Sequence, residues 1–160
     1  MKGWRGIVLV LLALVPGGTT RAEPPPAPPQ QQGQAGGRAC WAGEWTAPVQ
    51  GQECRFTFTL ELDAESGPVR GAFAWRLVRC PGLEQRAGDR GTERVLGRIE
   101  GASVRLRGTS VSDPTLLATD QYRLTLEGDT LRGSSRTNEG DWDGHVRARR
   151  TACAARSPDR

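Results

Sequence analysis

This chain has a single lysine, Lys2, and a single histidine, His145. It contains no C-x-x-C pair and no apolar run long enough to cross a bilayer, which takes about 20 residues. Each scarcity excludes something. One histidine cannot recruit a second imidazole, and the short paired cysteine spacings of zinc sites are missing, so no metal is expected. Ser–His or Cys–His catalysis would have to run through His145. That residue alternates with Trp142, Gly144 and Val146, which turns it towards solvent. G-x-S-x-G, G-x-x-x-x-G-K-[ST] and G-x-G-x-x-G are all absent. The chain reads as a non-enzyme, with no catalytic residue and no cofactor expected.

The beginning of the chain is what is present instead. A basic head (Met1–Arg5), a nine-residue apolar run (Ile7–Val15) and a small-residue exit at Thr20-Arg21-Ala22 have the form of a secretory signal peptide over residues 1–22. Cleavage after Ala22 would remove Lys2, Arg5 and Arg21, three of the 22 basic residues, and leave 19 against 18 acidic. The formal charge of +4 is therefore largely a property of the leader, and it does not support nucleic-acid binding. Every remaining cation is an arginine, a usage that GC-rich bacterial coding produces. The expected location is secreted or periplasmic, with no membrane insertion after cleavage.

Residues 23–38 are Pro-, Gln- and Gly-rich and lack core formers, as in a spacer or disordered arm. From 39 to 153 the pattern has period two, and 154–160 reads as a tail. Phe56, Phe58, Leu60 and Leu62 alternate with polar neighbours, as do Phe73, Trp75 and Leu77, and again Tyr122, Leu124 and Leu126. About eight strands follow: 41–47, 55–62, 70–79, 93–99, 103–108, 121–127, 131–137 and 142–149. Short connections such as Glu100-Gly101 and Glu127-Gly128-Asp129 imply an antiparallel meander. The expected fold is all-β, an up-and-down barrel of about eight strands, with a two-sheet sandwich as the alternative.

Cys40, Cys54, Cys80 and Cys153 make an even count, so two disulfides are expected, in any of three pairings. Hairpin geometry favours Cys54 with Cys80. Cys40 with Cys153 would then tie the first strand to the last, neighbours in a closed meander.

Parity also places Glu93 with Val95 and Ile99, and Asp120 with Tyr122 and Leu124, on the inward side. A buried carboxyl must be paired or hydrogen-bonded, so each is either a structural link or a polar anchor for a ligand. Gly97, Gly108, Gly133, Ser135 and Gly144 share the inward parity and leave space beside Tyr122 and Trp142, or else bend the strands. The candidate pocket is Trp75, Tyr122 and Trp142, with Glu93 as anchor. Arginines alternate outward without interleaved aromatics, unlike a single-strand nucleic-acid groove.

Gly43-Glu44-Trp45 resembles the G-x-W that opens avidin-like and lipocalin-like (calycin-type) barrels, and the likeness in strand order covers about residues 41–150. The resemblance implies that Trp45 plugs one barrel end beneath an arginine near the chain's end, Arg147, Arg149 or Arg150. The biotin ligands of avidins and the second lipocalin motif have no counterpart, so biotin binding is not implied. Ala42–Trp45, Cys54-Arg55-Phe56-Thr57-Phe58 and Cys80-Pro81-Gly82-Leu83 are also similar to small periplasmic inhibitors of bacterial metalloproteases. Those barrels insert an N-terminal arm into the protease cleft, which implies an exported protease as partner. Cys40, Cys153 and the long arm depart from that family.

The leading expectation is an exported binding protein for a small apolar or amphipathic ligand or an envelope component. A protease inhibitor and a structural cell-surface module are the alternatives.

Overall fold

A computed structural model describes residues 37–138 and 143–155. The expected leader, residues 23–36 of the arm, Trp142 and residues 156–160 lie outside the described residues. The alternating segments form eight strands: β1 Ala39–Val49, β2 Gln52–Leu62, β3 Gly67–Arg79, β4 Arg90–Glu100, β5 Ser103–Val111, β6 Asp120–Glu127, β7 Thr130–Thr137 and β8 Asp143–Thr151. Each pairs antiparallel with the next, and β1 returns to pair with β8, Trp45 opposite Val146. The sheet is therefore a closed barrel without exposed edges, which excludes the sandwich.

Several strands run past the last apolar residue, because backbone pairing continues the ladder where the side-chain pattern has stopped. Arg76 pairs with Arg90 in this way. Gly101 and Gly128 open tight turns at φ 56° and 57°, a left-handed conformation that glycine reaches without a β-carbon penalty.

Two β-bulges reset the alternation. Phe56 pairs with Leu77 but Arg55 pairs with Arg79, so Val78 is an extra residue and stands 40% exposed. Its insertion shifts the phase of β3. Cys80, which unbroken alternation would turn outward, instead reaches the buried side beside Cys54, and the two form a disulfide. Thr109 is the extra residue of the second bulge, bonded through Oγ1 to the Arg94 carbonyl, and brings Val111 opposite Glu93. Cys40 bonds to Cys153, stapling the C-terminal segment to β1. Two disulfides fit an oxidising compartment.

The strands define two ends. The β2–β3, β4–β5 and β6–β7 turns share one end with the start of β1 and the finish of β8. It is filled by Trp41, Leu60, Leu62, Ile99, Val104 and Leu131. Arg150 lies over the Trp41 ring at 5.7 Å from its centroid. The arginine cover implied for Trp45 thus belongs to Trp41, because Arg150 pairs with Trp41 across the β1–β8 seam while Val146 faces Trp45. The outer face carries exposed Arg94, Arg98, Arg105, Arg107 and Arg123, the reverse of a lipid-facing band. No helix among the described residues is long and apolar enough to cross a membrane.

Candidate functional site

The other end holds the β1–β2, β3–β4, β5–β6 and β7–β8 connections, and the interior there is aromatic. Trp45 meets Phe56 edge-on at 5.7 Å, Phe56 meets Trp75 at 6.1 Å, and Trp75 stacks on Phe73 at 4.9 Å. Phe73 in turn stacks on Tyr122 at 4.7 Å. The belt arises because β1, β2, β3 and β6 each place large rings on the inward parity. Between the rings and the β5–β6 loop lies a cavity of about 350 Å³.

Leu116 and Leu117, from that loop, complete the apolar wall. Their position follows from a turn built on Asp113. Its Oδ1 accepts the backbone N–H of Thr115 at 2.9 Å and its carbonyl accepts that of Leu117 at 2.9 Å. Arg86, on the 3₁₀ turn Glu84–Arg86, donates to Asp113 Oδ2 at 2.6 Å and to Thr115 Oγ1 at 2.7 Å. The Thr115 hydroxyl also donates to Asp113 Oδ1 at 2.7 Å, and together these bonds hold the Asp113 carboxyl down to about 2, the Thr115 hydroxyl contributing most, then Arg86. Leu117 then packs into the space above Gly91, where a β-carbon would meet it at 2.6 Å.

The floor is polar and buried. Glu93 Oε1 accepts the Asp120 backbone N–H at 2.9 Å, and Oε2 accepts the Tyr122 hydroxyl. Ser135 donates to Asp120 Oδ2 at 2.7 Å while its Oγ accepts the Trp45 indole N–H at 2.8 Å. One chain of bonds thus links β4, β6, β7 and β1. Two glycines admit it. A β-carbon on Gly108 would lie 2.0 Å from Glu93 Oε1, and one on Gly144 would lie 2.0 Å from Trp45 Nε1. The space expected at these positions is therefore occupied, by a carboxyl and an indole.

Burial disfavours the ionised form of every acid in this network. It pushes Glu93 up to about 7, against the opposing effect of the Tyr122 and Asp120 bonds. Burial raises Asp120 as well, offset in part by Ser135 and Thr137, and raises Tyr122 well above an ordinary phenol.

Trp75, Glu93 and Tyr122 all line the cavity, so three of the four expected pocket residues are brought together. Trp142 lies outside the described residues. Trp45, expected as a plug, forms part of the cavity wall. Asp120, 7% exposed against 1% for Glu93, is the more open acid. His145 is exposed, as its parity indicated. The Leu116–Leu117 lining was missed, although an apolar doublet inside the polar loop 112–119 is a readable signal. The Ser135 bridge carries no such signal.

The fold and site define a disulfide-bonded, eight-stranded antiparallel barrel with a cavity at one end, an architecture compatible with calycin-like barrels. No family model, curated protein or solved structure matches the chain.

Proposed function

We propose that this is an exported, non-enzymatic barrel that holds a small apolar or amphipathic ligand at its aromatic end. The observation that carries the reading is the 350 Å³ cavity, whose wall is aromatic and aliphatic and whose floor is a short polar network. Ligand sites have this composition: mostly apolar surface with a few convergent polar groups. An eight-stranded barrel is also the size at which the interior either packs solid or holds one small ligand. The signal-like leader and the two disulfides support export, secreted or periplasmic. The avidin-like and lipocalin-like resemblance at Gly43-Glu44-Trp45 supports the same class of activity.

Native and denaturing mass spectrometry of the exported protein test this directly. Mass present only in the native spectrum is the expected result. Its loss in Trp75→Ala, with the fold retained, would assign the ligand to this cavity. Unchanged ligand mass in a folded Trp75→Ala protein would sink the assignment. Deleting residues 23–36 leaves ligand binding intact on this reading, whereas an inhibitor acting through the arm would lose its effect on an exported protease.

A further inference from the structure

Among the described residues, the cavity is lined by two acids and no base. Asp120 and Glu93 both line it, and among its described lining residues there is no arginine. This is a chain rich in arginine on its outer face, so the omission is specific to the inside. The groups packed around Glu93 include Phe73 and Trp75 from β3, Val111 and Gly108 from β5, and Asp120 and Tyr122 from β6. The titratable ones, Asp120 and Tyr122, can add negative charge but supply no positive charge. Two carboxyl groups in one poorly solvated site cannot both ionise cheaply without a cation.

Resting on the cavity reading above, we propose that the ligand is a small organic cation, an amine with an aromatic or apolar body. Its ammonium group bonds to Asp120, the more open acid, and its body lies against Trp45, Phe56 and Trp75. Aromatic faces attract cations as well as burying apolar surface, so one wall serves both halves of such a ligand. Glu93 supplies the second negative charge. Its two oxygens each accept a bond, Oε1 from the Asp120 N–H and Oε2 from the Tyr122 hydroxyl, and both bonds favour the ionised form. Arrival of the ammonium favours release of the Glu93 proton to solvent, leaving a carboxylate held by the Tyr122 and Asp120 donors.

The experiment is calorimetric titration with three probes of similar shape: 2-phenylethylamine, 2-phenylethanol and 3-phenylpropanoate, at pH 6 and pH 8. The amine is expected to bind about tenfold or more tighter than the alcohol at pH 8, because its bond to Asp120 is charge-assisted. The carboxylate should be weakest. Amine affinity should rise from pH 6 to pH 8 as Glu93 ionises, while alcohol affinity stays level. Near pH 7, titrations in two buffers of different ionisation heat should show protons released with the amine only. Asp120→Asn should abolish the preference for the amine and spare the alcohol, and Glu93→Gln should reduce the pH dependence. The three-probe comparison on the unaltered protein decides the matter even where a variant fails to fold. Alcohol binding as tight as amine binding overturns the cation assignment and leaves the cavity reading standing. Failure of all three probes to bind overturns both.

Discussion

The Glu93 carboxyl stands where a side chain on Gly108 would begin, with Oε1 2.0 Å from the position of a β-carbon. Both residues face inward, on adjacent strands β4 and β5. The buried acid depends on a neighbour that has no side chain. Gly108→Ala is therefore expected to destabilise the barrel by about 1–3 kcal/mol, the usual range for overpacking. Urea unfolding of this variant measures the cost. A midpoint equal to that of the unaltered protein would show that Glu93 has room to move.

Glu93 also makes stability depend on pH. Its folded value, about 7, lies above the unfolded value of 4.5, so the native state binds more protons between the two. Stability from this group is full below about pH 4.5 and falls as pH rises to about 7, by roughly 3 kcal/mol. Asp120 shifts in the same direction. Urea midpoints at pH 5 and pH 8 should differ with that sign, and Glu93→Gln should shrink the difference.

The disulfides differ in the loops they close, 113 residues for Cys40–Cys153 and 26 for Cys54–Cys80. On the chain-entropy model, removing the first costs about 5 kcal/mol and removing the second about 3.5 kcal/mol. Paired Cys→Ala variants compared by thermal unfolding test the order. The reverse ranking would mean that native packing around Cys54 and Cys80 outweighs loop entropy.

Trp41 and Trp45 are both buried on β1, but only Trp45 has a partner for its indole N–H, Ser135 at 2.8 Å. Replacing either by Phe removes similar volume. Trp45→Phe should cost about 1 kcal/mol more than Trp41→Phe, the worth of one buried hydrogen bond. Equal costs in chemical denaturation would contradict the bonding scheme.

Arg86 ties the 3₁₀ turn to the loop bearing Leu116 and Leu117. Arg86→Ala should speed amide hydrogen exchange over residues 112–119 and leave β1 and β2 unchanged. Unaltered exchange in the loop would show that Leu117 on Gly91 suffices to hold it.

Much of this site was legible beforehand. Glu93, Asp120, Trp75 and Tyr122 were placed inward by parity alone, because in a strand the side chain's face follows from counting. What parity could not show was that Gly108 and Gly144 make room for Glu93 and Trp45 rather than leaving a void. Nor could it show that Arg150 covers Trp41. A glycine looks the same in sequence whether its space is empty, bent or filled by another strand.

The sequence by itself determined the period-two strands, their number, the meander and the presence of two disulfides. These follow from near neighbours: alternation, short turns and an even cysteine count. Tertiary structure decided the closure, the shifts of phase at Val78 and Thr109, and the bond from Trp45 to Ser135, 90 residues away. Such features depend on which strands lie side by side and on how their surfaces fit. The alternation within one strand carries no information about its partner's bulges, so the cavity becomes visible only when the barrel is closed.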